Sequence, residues 1–355
     1  MSDTTDTDAG PDSGVAADGG ADGSDEEDPT AGGPPGRKNV AIACQGGGSH
    51  TAFTAGVLQT LLTEVDWEGE CELVGISGTS GGAFNALAVW YGLVTEGPEH
   101  SVELLEELWD ALSATEGTDR AVNSWLTALN RLEKSGFPFP QVSPYDIPGD
   151  ELGKERIRDA LETCIDFEAI PPLCGRESPE LVVGTVDVNG GVFETFTNED
   201  VTVDAVLASA AVPDLFEAVE LHGHAHWDGL FSQNPPVYDL MHQPPGRKPD
   251  ELWIVQINPQ EVEEVPTSTL EINDRRNELS GNISLNQELG FIERVNDWVE
   301  TGKLPADEFT HTEIRRIEMG QRYDSATKVD RDPAFIEELM DNGREAANAF
   351  LAADR

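Results

Sequence analysis

Apolar residues in this chain come either in short unbroken runs or at helical spacing. Val40-Ala41-Ile42-Ala43-Cys44 and Leu73-Val74-Gly75-Ile76 lack the alternation of a half-exposed strand, so each predicts a strand buried on both faces. Each run ends in glycines and leads into a helical pattern. The first pattern, 51–62, sets Phe53, Val57, Leu58, Leu61 and Leu62 on one side; the second, 81–94, is apolar all round. A helix over 102–113 follows, with Val102, Leu104, Leu105 and Leu108 as its core face.

The pattern loosens between 117 and 150. A short helix around Trp125, Leu126 and Leu129 precedes Phe137-Pro138-Phe139-Pro140 and Ser143-Pro144, which reads as an insertion packed on the core or as a lid. Strand signals return at 181–188 and 192–196, joined by the hairpin signature Asn189-Gly190-Gly191. A helix over 203–210 ends at Pro213, and strands at 219–222, 225–227 and 252–257 come next. Charged helices over 272–300, a strand at 313–318 and an amphipathic helix at 333–352 complete the chain. Strands alternating with helices predict an α/β fold of three layers, α/β/α, with a largely parallel central sheet. Residues 1–36, nearly free of large apolar side chains, read as a disordered acidic tail.

Charge narrows the partners. The 68 acidic and 22 basic residues give −46, and the tail does not account for it: residues 1–36 hold 10 acids, so −36 stays on the rest. Such a surface is soluble where salt screens its self-repulsion, which predicts a salt-rich cytosol. It argues against nucleic acid, whose phosphates need a basic footprint. Cys44, Cys71, Cys164 and Cys174 show no C-x-x-C spacing and read as reduced structural thiols. The start is polar and acidic, unlike a signal peptide, and the apolar stretch 83–94 is about twelve residues, too short to span a bilayer. The expected location is cytoplasmic, with contact to a membrane or storage-granule surface left open.

The glycine clusters carry the candidate chemistry. Gly78-Thr79-Ser80-Gly81-Gly82 is a G-x-S-x-G elbow, which exposes a serine hydroxyl on a tight strand-to-helix turn. Gly46-Gly47-Gly48-Ser49 offers bare backbone N–H groups at a helix start, suited to a developing oxyanion. Nucleophile and oxyanion hole together predict acyl transfer. Ser80 needs a base, and the best-placed candidate is Asp228, at a strand end followed by Gly229; alone it would read as an Asp-Gly turn.

These motifs resemble the patatin-like phospholipases. Gln45-Gly46-Gly47-Gly48-Ser49-His50-Thr51 is similar to their oxyanion loop, and the stretch around Ser80, with Gly78 and Gly82, to their nucleophile elbow. Ser209-Ala210-Ala211-Val212-Pro213 is similar to their small-residue segment, and Asp228-Gly229-Leu230 stands where the family has Asp-Gly-Gly/Ala. The resemblance implies a patatin-like catalytic domain over 37–260 and a mostly helical extension, 261–355, packed on it. It also implies a Ser80–Asp228 dyad without histidine or cofactor, acting on acyl esters at a lipid or polyester surface. His50 and Thr51 replace the family's Arg/Lys and Gly, so any charge His50 lends the loop would depend on pH, and Leu230 replaces a small residue. The whole resembles a prokaryotic branch with its own C-terminal extension. Within it, 45–58 also resembles the patatin-type intracellular polyhydroxyalkanoate depolymerases of haloarchaea.

Other readings stay open. His222, His224 and His226 alternate and could form a zinc site, or two or three of them could simply face solvent. An α/β-hydrolase triad would need His242 or His311. A catalytically degenerate fold would bind lipid or polymer granules without turnover. No G-x-G-x-x-G or Gly-Lys-Ser/Thr spacing supports nucleotide binding. Oligomeric state has no sequence signal.

Overall fold

A computed structural model describes residues 36–353, apart from 116, 135–142, 147–149, 245 and 307. The expected acidic tail, 1–36, therefore lies outside the described residues except Gly36, as does Phe137-Pro138-Phe139-Pro140.

In chain order the elements begin β1 (Lys38–Cys44), α1 (Ala52–Glu64), β2 (Cys71–Gly78), α2 (Gly81–Thr95), α3 (Pro98–Leu112) and α4 (Gly117–Lys134). Next come α5 (Asp150–Cys164), α6 (Ile170–Leu173), β3 (Glu180–Asp187), β4 (Val192–Thr197), α7 (Val203–Ser209), β5 (Val219–Leu221) and β6 (His224–Asp228). The chain closes with β7 (Glu251–Gln256), α8 (Thr269–Glu300), β8 (Glu313–Glu318) and α9 (Pro333–Ala352). The sheet order is β5-β6-β3-β2-β1-β7-β8, with β4 pairing β3 off this path. Pairings from β3 through β2, β1 and β7 to β8 are parallel; those of β3 with β4 and β6, and of β5 with β6, are antiparallel.

The unbroken apolar runs become the inner strands because helices cover both faces. One face of the sheet packs with α1, α2, α3 and α9 in a large core that includes Ile42, Ile76, Phe53 and Trp90. The other, built on Ala41, Val74, Val182 and Ile254, is covered by Leu285, Leu289 and Ile292 of α8. Each large side chain so buried contributes about 1.5–3 kcal/mol. Trp90 is fully buried and its indole N–H still finds the Pro179 carbonyl at 2.7 Å.

The register of β3 positions the site. Val182 and Val183 pair with β2 on one edge and β4 on the other; Thr185 to Asp187 pair with β4 and, opposite it, with β6. β2 and β6 therefore share one edge of β3. β2 ends at Gly78, opposite Val183, and Asp228 sits opposite Thr185, just beyond the point where β2 turns into α2.

Two expectations change in detail. The charged region 272–300 is one continuous helix, α8, opened by a Ser268–Glu271 capping box. The helix α5 has no counterpart among the elements expected from the sequence; its Ala160 and Leu161 join the core.

Candidate active site

Ser80 is the N-cap of α2 and sits at φ 57°, ψ −132°, a conformation that non-glycine residues adopt only under constraint. Close packing and hydrogen bonds around the elbow supply it. Gly78 and Gly82 face each other so closely that a Cβ on Gly78 would lie 2.3 Å from the Gly82 carbonyl. Ser80 N–H donates to Ser209 Oγ at 2.9 Å, and Ser209 in turn donates to the Gly184 carbonyl at 2.7 Å. Thr79 Oγ1 donates to the Gln233 carbonyl, tying the elbow to the loop after Asp228.

Asp228 is fully buried at the end of β6. Its N–H donates to the Ala211 carbonyl at 3.0 Å, so the segment 209–211 braces both Ser80 and Asp228. Oδ1 accepts from Leu230 N–H at 2.9 Å. Oδ2 is buried without a hydrogen bond of ordinary geometry among the described residues. Burial raises the carboxyl to about 7; contact with the Ser80 side chain and the Leu230 N–H oppose the rise. A carboxyl titrating there can take a proton from a hydroxyl and return it. Gly229 passes close under Gly184 and Thr79: a Cβ there would lie 2.9 Å from the Gly184 carbonyl oxygen.

The glycine loop lies against the elbow. A Cβ on Gly46 would meet the Thr79 carbonyl oxygen at 2.3 Å and Ser80 Cβ at 2.9 Å. Its N–H donates to Asn234 Oδ1 at 2.6 Å, which leaves Gly46 as a close-packing position and no donor to an oxyanion. The N–H groups of Gly47 and Gly48 carry no hydrogen bond among the described residues, and Ser49 lies in the first turn of the short helix Gly48–Thr51. Gly48, at φ +61°, passes 2.2 Å (measured to its would-be Cβ) from the Lys328 carbonyl, so only glycine fits.

His50 is buried, and burial, with Lys328 nearby, depresses its imidazole to about 3. It is neutral at physiological pH and lends the loop no charge. Its Nε2 lies 2.8 Å from Thr327 Oγ1, whose own proton goes to the Asp324 carbonyl, so Nε2–H is the donor. His50 thus ties the loop to the turn Ser325–Val329 by a neutral hydrogen bond.

The histidines of the β5–β6 hairpin do not gather as ligands: no group of three or more side chains that could hold a metal ion occurs among the described residues. His222 and Gly223 turn the hairpin at φ 52° and 82°. His224 pairs with Asp187 at 2.6 Å and, like His222, is exposed, while His226 is buried against Glu194 at 2.6 Å, so two of the three rings face solvent as expected. His242 bonds the Tyr238 carbonyl and His311 pairs with Glu300; neither is among the hydrogen-bond partners of Ser80 or Asp228. Two surface grooves, of about 510 and 360 Å³, are lined by neither Ser80 nor Asp228.

Two features had no reading in the sequence. Ser209 stood in a recognised small-residue segment, but its bond to the elbow is long-range. Gln45, Asn234, Asn258 and Asn282 form a buried amide network around Gly46, joining positions up to 237 residues apart. The dipeptides Asn234-Pro235 and Asn258-Pro259 were its visible trace.

No helix among the described residues is long and apolar enough to cross a membrane. No curated protein sequence matches the chain. Among solved structures, the crystal structure of VipD from Legionella pneumophila is similar at 15% identity and TM-score 0.46, covering 90% of this chain and 67% of that one. Full-length ExoU with full-length SpcU, from the type III secretion system of Pseudomonas aeruginosa, is similar at 15% identity and TM-score 0.24. That match covers 70% of this chain and 51% of the other, about half its length. Both likenesses are too distant to bear on activity. The family profile of patatin-like phospholipases matches residues 42–241, more than half of the sequence, and the chain belongs to that family.

Proposed function

We propose that the protein is a lipid acyl hydrolase that works through a Ser80–Asp228 dyad. One observation carries this reading: the fully buried Asp228 carboxyl, with Oδ1 held by the Leu230 N–H, contacts the side chain of a strained serine at a strand-to-helix elbow. Ser80 Oγ attacks the ester carbonyl while its proton passes to Asp228. The carbonyl oxygen, now an anion, accepts hydrogen bonds from Gly47, Gly48 and Ser49 N–H, helped by the N-terminus of α2. Collapse breaks the acyl–oxygen bond, and Asp228 returns the proton to the departing alcohol. Water then attacks the acyl-serine; Asp228 takes its proton and gives it back to Ser80 Oγ as the acid leaves.

The charge favours neutral esters. A surface carrying −46 is repelled by anionic bilayers unless salt screens it, which supports intracellular polyhydroxyalkanoate as a second substrate class beside lipid esters. Acid release from phospholipid vesicles and from native polyhydroxyalkanoate granules, measured side by side in molar salt, tests both. Turnover of either that vanishes in Ser80→Ala supports the dyad and selects the substrate. Activity that survives Ser80→Ala refutes it, and wild-type binding without turnover favours a degenerate, granule-coating fold.

A further inference from the structure

The two free amides of the glycine loop hang between two pinned points. On the N-terminal side both backbone groups of Gly46 are taken: its N–H by Asn234 Oδ1, its carbonyl by Asn234 Nδ2 at 3.2 Å and Asn258 Nδ2 at 3.1 Å. Gln45, just before it, is fully buried, and its amide orientation follows from its partners. Oε1 accepts from Ile257 and Asn258 N–H at 3.0 and 2.7 Å, so Nε2 must donate. It does so to the Asn234 carbonyl at 3.1 Å and to Asn282 Oδ1 at 2.9 Å. Asn282, 2% exposed on α8, then spends Nδ2 on the Pro259 carbonyl at 3.1 Å.

The C-terminal side is held by the same helix. The Lys328 carbonyl backs Gly48, and Lys328 Nζ binds Asp274 at 2.6 Å and Glu278 at 3.0 Å, both on α8. α8 also braces the turn after Asp228: Gly281 lies against the Leu230 carbonyl and Ser280 donates to that of Phe231. All of these α8 residues, and Lys328, lie beyond the family match at 42–241.

We propose that α8 is the positioning element of the oxyanion loop, and that Asn282, acting through Gln45, aims the Gly47 and Gly48 amides at the reacting carbonyl. Asn282 touches no substrate; it is a positioning residue, and its effect on turnover rests on the Ser80–Asp228 reading above. The physical basis is preorganisation: donors fixed before reaction stabilise developing charge, and a loop loosened by about 1 Å can lose about a hundredfold in rate.

The test compares wild type, Ser80→Ala, Asn282→Ala and Leu285→Ala, using p-nitrophenyl butyrate in molar salt and amide hydrogen exchange over 45–50. Leu285, buried on the next turn of α8, packs against the sheet outside the amide network and controls for lost helix packing. Asn282→Ala should lower kcat about 10- to 100-fold with KM within about twofold, and speed exchange at 45–50. Leu285→Ala should lower Tm as much or more, yet keep kcat and the protection of 45–50. Should Asn282→Ala not fold, Asn282→Ser leaves a hydroxyl near Gln45 and should show a smaller loss of kcat. Unchanged kcat and exchange in the Asn282 variants, equal loss in Leu285→Ala, or failure of both Asn282 variants to fold would overturn the proposal. If wild-type turnover survives Ser80→Ala or is absent, the dyad reading falls, and exchange at 45–50 alone decides whether Asn282 positions the loop.

Discussion

The parallel and antiparallel parts of the sheet place the two site residues by different means. Ser80 sits where β2 runs straight into α2, and its position follows from local crowding: Gly78 against Gly82, Gly46 against Thr79. Two short motifs, 46–48 and 78–82, hold most of that information. Asp228 arrives on β6, an antiparallel strand that takes over the edge of β3 where β2 leaves it. Its position follows from register, which no short motif encodes. The nucleophile is therefore a local property of the chain and the base a topological one.

Removing either residue tests whether the two act as a unit. Asp228→Asn should lower kcat about 10³-fold or more, as Ser80→Ala should, and the double variant should lose little beyond either. In wild type the carboxyl must be ionised to accept a proton, so kcat/KM should rise with pH through about 7. Stability should move the other way. The buried carboxyl keeps its proton up to about 7 in the folded chain but releases it near 3.8 when unfolded, so its contribution falls as pH rises between those values. Asp228→Asn removes this burden and should be more stable relative to wild type at pH 8 than at pH 4, by thermal denaturation. Equal relative stability at both would mean that the carboxyl is not buried as described.

Crowding at the elbow is tested next. Gly46→Ala would force a methyl within 2.3 Å of the Thr79 carbonyl oxygen, displacing loop from serine. It should cost about 1–3 kcal/mol of stability and about a hundredfold in kcat. A folded Gly46→Ala enzyme of wild-type kcat would show that this contact does not set the site. Ser209→Ala should do less. It strips the acceptor from Ser80 N–H and the donor from the Gly184 carbonyl, for about 1–3 kcal/mol of stability and about tenfold in kcat. Because 209–211 braces both residues, a loss confined to Tm would assign Ser209 to the core alone.

The same contrast explains what was legible in the sequence. The buried runs 40–44 and 73–76, the elbow and the glycine loop could be read because strand burial and tight turns restrict residue type locally. α5 escaped because Leu152, Gly153 and its many charges blur the period, leaving Ile157, Ala160 and Leu161 to carry its inner face. Which of the three hairpin histidines turns inward was not legible, because the alternation treats them alike, whereas Glu194 of β4 lies against His226 alone. The amide network around Gly46 was invisible because each member is an ordinary polar residue until four distant segments meet. His50 read as a weakened charge; its burial against Tyr323 and Phe335 makes it a neutral tether.

The central claim is a serine activated by a carboxyl without histidine, and covalent trapping tests it most directly. Wild type, Asp228→Asn and His242→Ala/His311→Ala should be treated with an alkyl fluorophosphonate at pH 8 and mapped by mass spectrometry. The dyad predicts one adduct, on Ser80, formed at the wild-type rate in the double histidine variant and slowed about 10³-fold in Asp228→Asn. An adduct on another residue, or Ser80 labelling that ignores Asp228 and fails without the histidines, would contradict it.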